Sequence, residues 1–427
     1  MSLALLLLLL LGPAEAAGPL AHRETLANGA VLLVAERPAI PIVVVRVGMP
    51  AGAVHDPADA AGVANLTAQV LTRGTARRSG PELDRAIEFV GGSLEAGAGS
   101  DGAAVTLAVL KKDLALGLDL LAEVLLQPTF APEELARKVT DIQGELRRSE
   151  QEPETVAARA LSRLMFPAHP YGRPVQGSIE SVGKITREQV TAFYQRHYRP
   201  DGANIVVVGD VTVAEIRREL LQRLAGWSVP AGEAAAVPKA PPVTPAENRK
   251  IARDLTQTTV LLGRASIRQD DPDYFPLTVA TYMLGGGSAS RLYTRVREER
   301  GLAYSVYASL APARYGASYV VSLQTRTDGV VEAVRLAKEE MGRFAREPVA
   351  PRELSLAKSY LIGSFPLRLD TSGKLARFLG AVEENGLGLD YPERYKEQVG
   401  RVTAADVQRV AAKYLDPATF SEVQIGR

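Results

Sequence analysis

One stretch of this chain is written twice. Val182-Gly183-Lys184-Ile185-Thr186, running on through Tyr198 and Pro200 to Gly209, returns as Val399-Gly400-Arg401-Val402-Thr403, running on through Tyr414 and Pro417 to Gly426. Residue 399 stands against 182 and 426 against 209, an offset of 217 at both ends, with a one-residue slip at the tyrosine. Upstream, Ala131-Pro132-Glu133-Glu134-Leu135 is echoed by Ala350-Pro351-Arg352-Glu353-Leu354 at an offset of 219. A period of about half of the 427 residues is too long for a solenoid, whose repeats run to roughly 20–50 residues. It marks one domain-sized unit used twice, so whatever fold the first half adopts, the second must adopt too.

Between the copies, residues 228–247 are rich in Pro and Ala (Pro230, Pro238, Pro241, Pro242, Pro245) and break every periodic pattern, as a linker does. The chain therefore divides into residues 1–17, a first half 18–227, a linker 228–247 and a second half 248–427. Within the halves, 31–34, 42–47 and 205–208 are β-branched runs bounded by turn residues, whereas 114–126, 186–197 and 330–344 have helical apolar spacing. Residues 101–110 then 111–126 read as strand then helix, and 317–325 then 330–344 repeat that order. The pattern predicts an α+β unit in each half, its helices packed on one face of a mainly antiparallel sheet.

Composition narrows the functions. With 46% hydrophobic residues the chain can bury a large core, and 50 basic against 49 acidic side chains give no charged block that would hold nucleic acid. The absence of cysteine excludes disulfides, zinc-thiolate sites and cysteine nucleophiles. At the start, Leu5 to Leu11 followed by Gly12-Pro13-Ala14-Glu15-Ala16-Ala17 forms a short apolar core with a small-x-small pattern, which reads as a secretory leader, with an uncleaved anchor helix or a lipid-facing tether as the alternatives. The run is too short for a bilayer span of about 20 residues. A cleaved chain would begin near Ala17 and work in the periplasm or outside the cell.

Familiar hydrolase and nucleotide motifs fail. Leu284-Gly285-Gly286-Gly287-Ser288 has no Gly-Lys-Ser/Thr ending and follows a stretch, 274–283, that looks helical. There is no Gly-x-Ser-x-Gly elbow, and His22, His55, His169 and His197 keep no nucleophile pattern; His169, in His169-Pro170-Tyr171-Gly172, reads as structural.

Two segments carry a resemblance. Gly62-Val63-Ala64-Asn65-Leu66-Thr67-Ala68-Gln69-Val70-Leu71-Thr72-Arg73-Gly74-Thr75 resembles the zinc helix of the insulinase/pitrilysin (inverzincin) peptidases, whose His-x-x-Glu-His is here Asn65 to Gln69. Ser290-Arg291-Leu292-Tyr293-Thr294-Arg295-Val296-Arg297-Glu298-Glu299-Arg300-Gly301-Leu302-Ala303-Tyr304-Ser305-Val306 resembles the same family's C-terminal Arg/Tyr segment. Matches at His169-Pro170-Tyr171-Gly172, Gly177, Tyr198, Pro200 and Val208-Gly209-Asp210 extend the likeness over nearly the whole chain.

The resemblance implies two α/β-roll halves around a chamber, and it implies a lost metal site. Asn65 and Gln69 keep the i, i+4 spacing but offer neutral amides, and Ala68 has no base. Glu145 matches the third ligand, but Lys138 replaces its acidic neighbour, so Glu145 reads as a solvated helix glutamate and no metal is expected in this chain. Arg297 and Tyr304 match the pair that hydrogen-bonds the scissile carbonyl, and Gly285, Gly286 and Gly287 match a flexible stretch beside the substrate. On composition alone the bland reading stands beside this one: Arg297 among Glu298, Glu299 and Arg300 suits a solvated ion-pair helix, and Tyr304 a strand face.

The function implied is the metal-free subunit of a split zinc peptidase. It would bind unfolded peptide and assist the transition state beside a homologous partner that carries His-x-x-Glu-His and the zinc. The alternative is a non-catalytic peptide-binding or assembly protein of the cell envelope.

Overall fold

The structure, a computed structural model, describes residues 19–229, 236–241 and 244–427; the leader-like segment and linker residues 230–235 and 242–243 lie outside the described residues. In the first half, β1 (His22–Thr25), β2 (Val31–Glu36), β3 (Ile42–Met49), β4 (Ser93–Ala98), β5 (Ala103–Leu110) and β6 (Asn204–Gly209) form a sheet in the order β1-β2-β6-β3-β5-β4. In the second, β7 (Asn248–Ala252), β8 (Gln257–Ala265), β9 (Ala303–Pro312), β10 (Ala317–Arg326) and β11 (Ser421–Gly426) form one in the order β7-β11-β8-β10-β9. Leaving out β1, the two orders coincide. In each sheet the late strand pairs in parallel with the first of the matched set, β6 with β2 and β11 with β7, and the other pairs run antiparallel.

The duplication extends to single hydrogen bonds. Thr186 caps the helix Arg187–His197 by accepting from Gln189 N, while the Gln189 side chain accepts from Thr186 N. Thr403 and Asp406 do the same for the helix Ala404–Tyr414. Such reciprocal caps satisfy two donors that a helix start otherwise leaves open, and each is worth on the order of 1 kcal/mol. The strand-then-helix units are also present, as β5 with the helix Leu114–Leu126 and β10 with the helix Val330–Arg346.

Helices of the first half cover one face of its sheet, where Leu32, Val34, Val45, Val47 and Leu107 meet Leu66, Leu118 and Leu121. The opposite face is covered by the other half. Leu375, Ala376 and Leu379 of the helix Ser372–Glu384 pack on Leu33, Val44, Val206 and Val208. The exchange is mutual, because Ala157, Leu161 and Met165 of the helix Pro153–Met165 pack on Leu261, Ala265, Val423 and Ile425. Burial on both faces explains why β2 and β6 carry unbroken apolar runs, at 31–35 and 205–208, and do not alternate. Gly263 makes room for the visiting helix, since a Cβ there would lie 2.6 Å from Leu161 Cδ2.

Polar contacts finish the seam. Arg46 Nη1 reaches Glu384 Oε1 at 2.9 Å and Asn204 Oδ1 at 3.2 Å, and Arg23 pairs with Glu383 at 2.7 Å. Asp101 accepts from Tyr171 Oη (2.5 Å) and from the backbone N–H of Arg314 (2.9 Å), while Tyr171 Oη accepts from Tyr315 N at 3.0 Å. Buried His169 holds the linker, with Nε2 2.9 Å from Pro238 O and Nδ1 accepting from Tyr171 N, which is a structural role. A cleft of about 260 Å³, lined in part by Arg268, Arg314 and Asn385, remains beside the linker.

Two histidines stack under this seam. His197 is buried against His55, ring centroids 4.6 Å apart, and against Phe193 at 4.5 Å. The turn Ala53–His55 is fastened to residues 99 and 100, next to Asp101. Burial, then His55, Arg196 and Arg199, lower His197 to about 4. His55 is lowered by burial, Arg314 and Arg196, against an opposing pull from Asp101. A histidine depressed below its unfolded value of 6.5 costs stability as pH falls, since the unfolded chain takes the proton first. The loss through His197 runs from about pH 6.5 to about pH 4 and reaches on the order of 2–3 kcal/mol. Asp56, raised to about 6 by burial, acts in the opposite sense over part of that window, so parent and variant must be compared directly. His197→Phe is expected to flatten the loss in urea titrations between pH 7 and 4; parallel curves for the two proteins would refute it.

Candidate functional site

The helix Val63–Val70 carries the degenerate metal motif. It starts at Gly62, whose φ of 101° suits glycine alone, and Asp56 accepts from Gly62 N (2.7 Å) and Ala64 N (2.9 Å). Asn65 is buried, Ala68 fully so, and Gln69 half-buried. The two amides have turned to each other, Gln69 Nε2 donating to Asn65 Oδ1 at 3.3 Å, and among the described residues Asn65 Nδ2 has no partner. Glu145 stands exposed on the helix Pro132–Ser149, which packs against this one, and Lys138 pairs with Asp141 at 3.7 Å. Among the described residues no three His, Asp or Glu side chains gather where they could hold a metal ion. The donor set present does not fit zinc, because neutral amides are poor ligands for it.

Restoring the motif is therefore expected to fail in part. The triple variant Asn65→His, Ala68→Glu, Gln69→His puts a carboxylate where Ala68 is 1% exposed and supplies no acidic side chain in place of Lys138. We expect zinc affinity no tighter than micromolar by calorimetry and a lowered melting temperature; nanomolar binding with full stability would contradict this account.

The other segment is organised differently. Residues Tyr293–Glu298 form a widened turn in which Glu299 N donates to Thr294 O, five residues back. The sequence reading of a regular helix is corrected here: the chain leaves it through Gly301 N to Arg297 O and Leu302 N to Val296 O, both 3.0 Å, with Gly301 at φ 61°. That reversal sends the chain straight into β9 and brings Tyr304 back beside Arg297.

Four arginines of this stretch have different fates. Arg291 is bidentate to Glu353, both bonds 2.8 Å, and lies over Phe344. Arg295 pairs with Glu299 at 2.8 Å and Arg300 with Glu332 at 3.9 Å. Arg297 alone among them has no carboxylate partner among the described residues, despite Glu298 and Glu299 beside it in sequence. Its guanidinium carbon sits 4.9 Å from the Tyr293 ring centroid and 5.6 Å from that of Tyr304, which is 71% exposed. The solvated ion-pair reading of Arg297 fails at this point, and Tyr304 projects outward from its strand.

Of the glycines, Gly285 ends the helix Tyr274–Gly285 buried against β9, where a Cβ would lie 2.4 Å from Ala308 N. Gly286 and Gly287 pass over the Tyr282 ring at the exposed end of that helix. Close packing thus accounts for Gly285. Sequence reasoning missed Tyr293, although it stands within the quoted segment, because only tertiary folding shows which ring meets Arg297. The motif helix packs on β4 and the helices 132–149 and 187–197, and the widened turn on β9 and the helix 330–346, so the two have no main packing partner in common.

Comparison with known proteins identifies the family. A family profile described as "Insulinase (Peptidase family M16)" matches residues 31–178, and one described as "Peptidase M16 inactive domain" matches residues 184–361. An uncharacterized zinc protease of Mycobacterium tuberculosis is 30% identical over 411 residues, 94% of this chain and 93% of the relative. A Helicobacter pylori protein named non-peptidase homolog is 25% identical over 395 residues, 92% of this chain and 90% of its own. Among solved structures, a peptidase M16 inactive domain from Pseudomonas fluorescens superposes with a TM-score of 0.89 at 28% identity, covering 95% of this chain and 97% of that one. With a 30% identical relative matched almost from end to end, the chain belongs to the insulinase family of peptidases, family M16.

Proposed function

We propose that this chain is the metal-free subunit of an insulinase-type zinc peptidase, binding an extended, unfolded peptide and donating hydrogen bonds to its scissile carbonyl. The observation that carries the reading is the contrast between the two motifs. At the metal position the side chains bond to each other, whereas at the Arg/Tyr position an arginine pairs with no carboxylate among the described residues and lies against two rings. Guanidinium and phenol donors held ready for a developing oxyanion are what acyl-transfer catalysis requires. The zinc and the remaining wall of the substrate chamber are expected in a homologous partner carrying His-x-x-Glu-His. Among the described residues no helix is long and apolar enough to cross a membrane. The leader-like segment supports assembly of the pair outside the cytoplasm.

The names of two similar proteins, a peptidase M16 inactive domain and a non-peptidase homolog, support the alternative of a peptide-binding or assembly protein without catalysis. Purifying the tagged mature chain from its native cell separates the two. An equimolar, similar-sized chain containing His-x-x-Glu-His is the expected result. Recovery of the chain alone, or with unrelated envelope proteins, would favour the non-catalytic reading.

A further inference from the structure

We propose that Tyr293 is the positioning residue for Arg297, the rigid wall that holds its guanidinium pointing outward and away from Glu298 and Glu299. The proposal rests on the reading of Arg297 given above and concerns the same site.

Two rings flank the guanidinium, and they are not equivalent. Tyr304, 71% exposed, is free to swing and lies farther off, at 5.6 Å. Tyr293 is partly buried, packed against the apolar core of the second half, and closer, at 4.9 Å. Its neighbours reinforce its place: Leu292 is fully buried on one side, and one residue farther back Arg291 is clamped to Glu353. An arginine side chain left to itself samples many rotamers and, beside two glutamates, would fold onto one of them. A cation–π contact with an anchored ring favours one orientation without occupying any N–H donor, so all five stay available to a ligand. An ion pair would occupy the donors that the proposed role needs. The widened turn serves the same end, because the i→i+5 bond from Glu299 N to Thr294 O changes the winding of the turn that carries residues 293 and 297.

The ring face, not the hydroxyl, is the working part, so phenylalanine should substitute and smaller apolar residues should not. The test is made on the isolated chain by NMR relaxation of the Arg297 Nε–Hε pair. In the parent and in Tyr293→Phe the order parameter is expected near the rigid value of about 0.85, and in Tyr293→Ala below about 0.6. Tyr293→Leu, which keeps most of the core contact, guards against a folding defect and should also mobilise Arg297. In the partner-reconstituted pair, Tyr293→Leu should lower kcat roughly fivefold at unchanged KM, the size of one exposed cation–π contact. Unchanged Arg297 order in both Ala and Leu variants would overturn the proposal. Mobilised Arg297 together with an Arg297→Ala pair of normal turnover would leave the positioning intact and refute the catalytic reading instead.

Discussion

Arg297→Ala is expected to lower the turnover of the reconstituted pair by on the order of 100- to 1,000-fold while leaving its assembly unchanged. The magnitude is that of removing one preorganised donor from a developing oxyanion, about 3–4 kcal/mol of transition-state stabilisation. Assembly should be spared because the side chain makes no ion pair among the described residues and lies against the rings of Tyr293 and Tyr304. Arg291→Ala should act mainly on folding, since its bonds to Glu353 hold the segment in place, and should lower the turnover of the remaining native fraction far less than Arg297→Ala does. Steady-state kinetics with size-exclusion chromatography decide the matter. Unchanged kcat in Arg297→Ala would return that residue to a structural role.

Leu379→Ala should destabilise the half to which Leu379 does not belong. The residue is fully buried, sits on the helix Ser372–Glu384 of the second half, and packs on the first sheet. Truncating a leucine in such a place costs about 2–5 kcal/mol, the spread reflecting how far the site can collapse. The chain's single tryptophan, Trp227, is buried in the core of the first half and reports on that half alone. Its fluorescence midpoint in urea should therefore fall in Leu379→Ala, in step with circular dichroism of the whole chain. Leu161→Ala, 1% exposed on the reciprocal helix, should weaken the second half by a comparable amount. A Trp227 midpoint that ignores Leu379→Ala would mean that the halves are energetically independent.

Much of the candidate site was legible because its motifs are local. The i, i+4 spacing of Asn65 and Gln69, the missing base at Ala68 and the seven-residue interval between Arg297 and Tyr304 are all properties of short segments. The fate of each side chain was not legible. Nothing in the order Arg297-Glu298-Glu299 says that Glu299 goes to Arg295 and leaves Arg297 to two aromatic rings. That outcome depends on a turn with i→i+5 bonding, whose register is set by the core packing of Leu292 and Val296.

The sequence by itself determined the fold of each half and its duplication. β-Branched runs, helical spacing and caps such as Thr186-x-x-Gln189 and Thr403-x-x-Asp406 act over a few residues and are written wherever the unit is written. Only the tertiary structure decided how the halves join. The helices Pro153–Met165 and Ser372–Glu384 are amphipathic in sequence, but their apolar faces find partners far away in sequence, on the sheet of the opposite half. Burial is non-directional and roughly proportional to apolar area, so a sequence shows that such a face must be covered without showing by what.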